Sequence, residues 1–342
     1  MAKKIVLSGM RPTGRLHLGN FAGALSNWIK LQNQTENQCL FMVADWHALT
    51  TDYEEPSKIE SNIQEMVLDW LAVGLDPKKT IFFRQSWVKE HSELALILSM
   101  ITPLSWLERN PTYKEQIVEL EGKALSTHGF LGYPVLQAAD ILLYGATHVP
   151  VGEDQLPHLE LTREIARRFN YLYKKSIFVE PQALLSHVPK VSGIDGRKMS
   201  KSYGNTIDIS EEEELLKKKI KTMFTDPLKI KANDPGHPRA CAENPKGCSV
   251  FSFHEIYEES KEKNHLREKS CKEGSLGCVQ CKNELFQEMN QALKPLREKR
   301  DFFSKEKGEV NQILKSGSQL ASSLAGKTLT SVREAIQYHE AL

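Results

Sequence analysis

Four short apolar runs, spaced by amphipathic stretches, most restrict how this chain can fold. Residues 5–7, 40–44, 81–83 and 149–151 read as strands, and patterns of helical period begin at His17, Ser57, His91, Gly129 and Gln155. Strands that alternate with helices in this way build a parallel sheet with crossover helices, and ligands then bind beyond the C-terminal strand ends. From about residue 209 onward the pattern is helical only, over 210–224, 251–261, 283–303 and 310–338. The expected fold class is therefore α/β. A Rossmann-like parallel-sheet domain is expected over residues 1–205, and an all-helical C-terminal domain over 206–342. At 342 residues the chain is long enough for two cores.

A net charge of +1 argues against nucleic-acid binding through bulk charge, and no DNA partner is expected. RNA contact would have to come from local patches at 217–221 and 294–300, each of which reads equally well as a solvated helix face. The most hydrophobic stretch, 129–146, carries Pro134, Gln137 and Asp140 and falls short of a membrane span. Only three strongly apolar residues follow Lys3 and Lys4, too few for a signal peptide. No membrane partner and a cytoplasmic location are expected.

Two polar loops carry the chemistry. The first, Arg11-Pro12-Thr13-Gly14-Arg15-Leu16-His17-Leu18-Gly19-Asn20, joins the first strand to a helix N-terminus, where backbone N–H groups and the helix dipole favour phosphate. The second, Gly196-Arg197-Lys198-Met199-Ser200-Lys201-Ser202, places two lysines and two serines in a turn suited to a polyphosphate. Between them, Tyr133, Gln137, Asp140 and Tyr144 form one stripe of a helix that is otherwise apolar. Either Asp140 makes a structural hydrogen bond in the core, or the stripe lines a pocket and Asp140 accepts from a ligand N–H or O–H. Val149 and Val151 share a face and can wall an apolar ligand. Gly152, Asp154 and Gln155 follow at the sheet edge, with Asp154 open to reading as an N-cap.

Five of the six cysteines lie between 241 and 281. Cys248, Cys271, Cys278 and Cys281 are spaced C-x22-C-x6-C-x2-C, with Cys241 as a competing first ligand. Four thiolates suit zinc or a 4Fe–4S cluster, and the chemistry alone leaves both open. The stretch 264–277 is highly charged and too poor in apolar residues to fold by burial, so metal ligation is its expected source of order. Cys39, in a strand, reads as a packing residue.

The two loops resemble the His-x-Gly-His and Lys-Met-Ser-Lys-Ser signatures of class I aminoacyl-tRNA synthetases. Val43-Ala44-Asp45-Trp46-His47-Ala48-Leu49-Thr50, the stripe helix and the segment 149–170 resemble the bacterial tryptophanyl enzymes. The resemblance is dense to residue 205 and loose beyond. It implies ATP-dependent activation of L-tryptophan with Mg2+ on the phosphates, transfer to tRNA(Trp), and a homodimer. Asp140 would take the indole N–H, with Val149 and Val151 beside the ring. Tyr133, Gln137, Gln155 and His47 would line the amino-acid site. Arg11, Thr13, His17, Gly19, Asn20, Gly152, Asp154, Lys198, Met199, Ser200 and Lys201 would contact ATP. Lys198, Lys201, His17 and Lys114 would assist catalysis, and residues 206–342 would read the tRNA anticodon. The cysteine spacing is similar to that of a subset of these enzymes with a 4Fe–4S cluster, which favours iron–sulfur over zinc. Gln137, where many relatives carry Met, is a feature shared with the tyrosyl enzymes. The alternatives to the tryptophan enzyme are therefore a tyrosyl enzyme or a non-catalytic RNA-binding or cluster-sensing paralogue.

Overall fold

The computed structural model describes residues 3–110, 127–185, 191–258, 260–306 and 308–338. Among these, five strands form one sheet: β1 (Lys4–Met10), β2 (Asn37–Val43), β3 (Ile81–Arg84), β4 (His148–Val151) and β5 (Gln182–Leu185). Their order is β3-β2-β1-β4-β5 and every pairing is parallel. The four expected strands are present. The fifth lies at the sheet edge with no fully buried residue, so its hydrophobic pattern does not announce it. Strand order reverses at β1, between β2 and β4, and this switch point opens the crevice that holds the site.

The first helical segment begins as α1 (Leu18–Asn20), passes through a π-helical turn at Phe21–Leu25 and continues as α2 (Ser26–Gln32). There follow α3 (Asp45–Asp52), α4 (Ile59–Ala72), α5 (Glu90–Ile101), α6 (Leu104–Glu108), α7 (His128–Leu143) and α8 (Leu156–Tyr173). On one face of the sheet Trp28 stacks on Phe41 at 4.4 Å, and Trp70 meets both Trp28 and Phe82 edge-on. These rings fix α2 and α4 to the strands. On the other face Leu7, Leu40, Phe83 and Val149 pack against Leu94, Leu98 and the apolar flank of α7. Cys39 is buried among the first set, as expected of a packing residue.

The C-terminal part contains α9 (Glu213–Thr222), α10 (Ser249–Tyr257), α11 (Lys261–Lys272), α12 (Cys278–Lys305) and α13 (Glu309–Ala335). Helix α11 runs through most of the stretch 264–277, whose order was expected from metal ligation. Ser260 Oγ caps it by accepting from Lys263 N at 3.3 Å, and Arg267 bonds Glu288 at 2.7 Å, so caps and ion pairs supply what apolar burial does not. Helix α13 returns to the sheet and covers the edge of β3. Gly317 lies so close that a Cβ there would sit 1.7 Å from Phe82 O, and Ser318 Oγ accepts from Arg84 N at 3.1 Å. No helix among the described residues is long and apolar enough to cross a membrane.

One buried ion pair ties these parts together. Asp69 on α4 is fully buried, and its carboxylate accepts from Arg300 Nη1 on α12 at 2.9 Å, from Leu16 N at 2.6 Å and from Ser210 Oγ at 3.3 Å. Arg300, within the 294–300 patch, is thus structural, and Arg297 likewise donates to Glu211 O at 2.9 Å. Removing one partner of a buried pair leaves the other charge uncompensated. Arg300→Met is expected to lower stability by about 3–5 kcal/mol in urea unfolding. A loss below about 1 kcal/mol would show that the pair is dispensable.

Candidate active site

The first loop is shaped around His17. Its ring lies over Gly19, where a Cβ would come within 2.9 Å of it, so the glycine two positions on is required by the ring. His17 N–H donates to Asn20 Oδ1 at 3.0 Å, which starts the helix, while His17 Nδ1 is buried with no hydrogen-bond partner. Burial, and secondarily Lys201, push the His17 pKa down to about 4. The ring is therefore neutral, with its buried Nδ1 turned toward Gly19.

The second loop is ordered by a residue the sequence reading passes over. Asn205, buried, accepts from Ser200 N at 2.8 Å and donates to Asp195 Oδ1 at 2.7 Å and Lys198 O at 3.1 Å. Met199 is buried beside Leu18, Val191 and Ile207, so it anchors the loop by packing. Lys201 Nζ crosses to the first loop and donates to Thr13 O at 2.5 Å. Burial lowers the Lys201 pKa. Two segments nearly 190 residues apart in sequence thus meet. Lys114 lies outside the described residues.

Beside this junction is a cavity of about 360 Å³. Its wall includes His47, Tyr133, Gln137, Asp140, Val149, Val151, Gln155, Gly152 and Arg11, so every expected amino-acid contact converges there. Thr13, His17, Gly19, Asn20, Asp154, Lys198, Met199, Ser200 and Lys201 stand outside that wall, on the loops and the start of the β4–α8 turn. Asp154 makes no cap contact. Its Oδ1 folds over Gly152, where a Cβ would lie 2.6 Å away, and its Oδ2 accepts from Gln155 Nε2 at 2.9 Å.

Two hydrogen-bond chains line the cavity. In the first, Gln155 Oε1 lies 3.0 Å from His158 Nδ1, and Tyr133 Oη lies 2.7 Å from His158 Nε2. The amide oxygen can only accept, so His158 Nδ1 carries the proton and Tyr133 donates to Nε2. In the second, Asp140 is 2% exposed and surrounded by donors from three segments: His47 on α3, Gln85 in the turn after β3, and His91 on α5. Burial pushes the Asp140 pKa up, yet His91 and His47 outweigh it and hold the carboxyl below its ordinary value. Gln85, His91 and His158 are functional candidates that the sequence reading misses. His91 marks only a helix start there, and a lone Gln in a turn carries no signal.

The four thiols Cys248, Cys271, Cys278 and Cys281 line one small cavity with Pro238, Phe251 and Arg267. Gly236 makes room for them, since a Cβ there would lie 2.7 Å from Cys271 Sγ. Burial and neighbouring thiols raise Cys271 to about 11 and push Cys281 up further. Cys241 stands elsewhere: among the described residues, the group bringing three ligand atoms within 4.8 Å of one another is His237, Cys241 and Glu243. The four thiols are spread more widely than that. A tetrahedral zinc with Zn–S of about 2.3 Å would need sulfurs about 3.8 Å apart.

The sequence profile described as tRNA synthetases class I (W and Y) matches residues 2–294, and the chain belongs to this family. Its relatives include the tryptophan–tRNA ligase of Thermotoga maritima, 50% identical over 97% of this chain and 98% of that protein. The tryptophan–tRNA ligase of Aquifex aeolicus is 44% identical over 97% and 99% respectively. The solved tryptophanyl-tRNA synthetase of Campylobacter jejuni, complexed with ADP and tryptophan, superposes with a TM-score of 0.85 at 35% identity, covering 97% of this chain and 99% of that one.

Burial pushes the His158 pKa down to about 4, as it does for His17. The ring stays neutral in the fold above about pH 4, while in the unfolded chain it binds a proton below about 6.5. The unfolded state therefore binds more protons between these values, and stability falls as pH drops from 6.5 towards 4. His158→Gln is expected to flatten this limb in urea titrations at pH 7 and pH 5. An unaltered pH slope would mean that His158 is charged in the fold.

Proposed function

We propose that the cavity holds tryptophan, with its indole N–H directed at Asp140, its ring against Val149 and Val151, and its ammonium near Tyr133 and Gln155. The observation that carries this reading is a single buried, ionised carboxylate at the wall of a cavity that Arg11 of the first loop also lines. The chain acts as a tryptophan–tRNA ligase: it couples tryptophan to ATP and passes it to tRNA(Trp). The tryptophan carboxylate attacks the ATP α-phosphorus in line, pyrophosphate leaves, and a ribose hydroxyl at the tRNA 3′ end captures the adenylate. No protein nucleophile is needed. Positioning and neutralisation of developing charge carry the step. Lys201 would release Thr13 O and, with Lys198, meet the departing pyrophosphate. His17, Asn20 and Thr13 would hold phosphate from the first loop, Arg11, Gly19, Gly152 and Asp154 would shape the nucleotide site, and Mg2+ would ride on the phosphates.

Residues 206–342 are assigned to anticodon recognition, a role that suits an exposed helical surface joined to the ATP loop through Asp69 and Arg300. The free thiols agree with a reducing, cytoplasmic setting. A homodimer follows from the family likeness alone.

We assign Cys248, Cys271, Cys278 and Cys281 to a 4Fe–4S cluster. Four half-buried thiols line one cavity, and their wide spread suits a cluster better than one zinc. The group would supply a cross-link between the start of α10, the end of α11 and the start of α12. Anaerobically purified protein is expected to be brown with about four irons per chain, and Cys278→Ser to be colourless. Colourless wild-type protein with one stoichiometric zinc would overturn the assignment.

The functional reading is tested by ATP–pyrophosphate exchange. Tryptophan should support it and tyrosine should not, and Asp140→Asn should lower kcat/KM for tryptophan by about tenfold to a hundredfold, equivalent to about 1.4–2.7 kcal/mol. Wild-type exchange in Asp140→Asn would remove Asp140 from the pocket assignment, and exchange with tyrosine alone would make the chain a tyrosyl enzyme.

A further inference from the structure

Both oxygens of the Asp140 carboxylate are engaged. Oδ1 accepts from His91 Nδ1 at 2.6 Å and Gln85 Nε2 at 2.9 Å, and Oδ2 accepts from His47 Nε2 at 2.8 Å and Gln85 Nε2 at 3.0 Å. Three donor nitrogens supply these contacts, Gln85 Nε2 being shared between the two oxygens, and of the three residues only His47 stands at the cavity wall. A ligand N–H that approaches Oδ2 through the cavity therefore meets His47 there.

The donors differ in how firmly they are held. Gln85 is fully buried, and its Oε1 accepts from Trp46 N at 3.1 Å and His47 N at 3.4 Å, so both ends of the amide are engaged and its orientation is fixed. His91 is also fully buried. It stacks on Phe83 at 6.0 Å, and its Nε2 lies 2.7 Å from Tyr144 Oη. Asp140 can only accept, so His91 Nδ1 carries a proton, and the Tyr144 hydroxyl engages the other ring nitrogen. Tyr144 thus pins the ring whose Nδ1–H donates to Asp140. Burial raises the Tyr144 pKa well above its ordinary value and keeps the hydroxyl protonated. His47 alone of the three donors lines the cavity, with its ring edge toward Tyr133.

We propose that Gln85, His91 and Tyr144 are positioning residues that hold Asp140 as a fixed acceptor, and that His47 is a placeholder on Oδ2 which the substrate indole N–H displaces. The proposal rests on the tryptophan reading above and adds the origin of its selectivity. Exchange of one donor for another leaves the carboxylate fully paired before and after binding. A ring of the same shape without an N–H has no donor to offer, so it must either leave His47 in the cavity or strand Oδ2. Sites of this kind reject such analogues strongly.

The test uses the full-length protein labelled with ¹⁵N at histidine side chains. In the free protein the His47 and His91 ring N–H signals should both be downfield and slow to exchange with water. They are assigned with His47→Gln and His91→Gln. Saturating tryptophan should remove or shift the His47 signal and leave that of His91, whereas benzothienylalanine, with sulfur in place of the indole N–H, should leave His47 on Asp140. A His47 signal unmoved by tryptophan overturns the placeholder. In pyrophosphate exchange, Tyr144→Phe should lower the kcat/KM preference for tryptophan over benzothienylalanine by about tenfold or more, chiefly through the tryptophan KM, with the ATP KM retained. Wild-type preference in Tyr144→Phe, together with a damaged Asp140→Asn, overturns the positioning role alone. An undamaged Asp140→Asn overturns the tryptophan reading beneath it. The histidine spectra of the unaltered protein decide the exchange even if Tyr144→Phe does not fold.

Discussion

A carboxylate with 2% exposure is tolerable only where donors surround it, and the active-site end of this molecule is arranged to supply them to Asp140. His47 comes from α3, directly after β2; Gln85 from the turn after β3; His91 from α5; and Asp140 with Tyr144 from the end of α7. These elements reach one point because β2 and β3 are adjacent parallel strands whose C-terminal ends lie on the same side of the sheet. The pocket is therefore a product of the topology. Any change that misplaced one of these segments would strand a buried charge.

The nucleotide end depends on a second buried charge. Asp69 holds Leu16 N–H of the first loop while it pairs with Arg300 of α12, so the backbone that precedes His17 is braced from the C-terminal helices. Lys201 closes the opposite side through Thr13 O, and Asn205 keeps the second loop in the shape that lets it do so. Helix α13 then seals the edge of β3 with Gly317 and Ser318. The helical part thus completes the sheet domain, as well as carrying the thiol cluster.

Much of this was legible in the sequence because it depends on local pattern. Four of the five strands showed as apolar runs, and Tyr133, Gln137 and Asp140 showed as a polar stripe because helical period maps directly onto one face. The loops were legible only as an ordered pair, since a lysine-rich turn by itself is usually solvated surface. What stayed hidden depends on long-range pairing. Gln85, His91, His158 and Asn205 are ordinary polar residues until the fold brings an acceptor or donor to them. Arg300 sat in a run of charges that looked solvated, and only its Asp69 partner, 231 positions away, makes it structural. Helix α11 was obscured for the reverse reason. Its order comes from a Ser260 cap and ion pairs, which an apolar pattern does not record.

The indole N–H itself reports most directly on the central claim that Asp140 reads it. Tryptophan labelled with ¹⁵N at the indole nitrogen, bound to the full-length protein, should show an N–H proton resonance well downfield of free tryptophan and protected from exchange with water. In Asp140→Asn that shift should be lost. An indole resonance at the free position in the wild-type complex, or one unchanged by Asp140→Asn, would contradict a pocket built around this carboxylate.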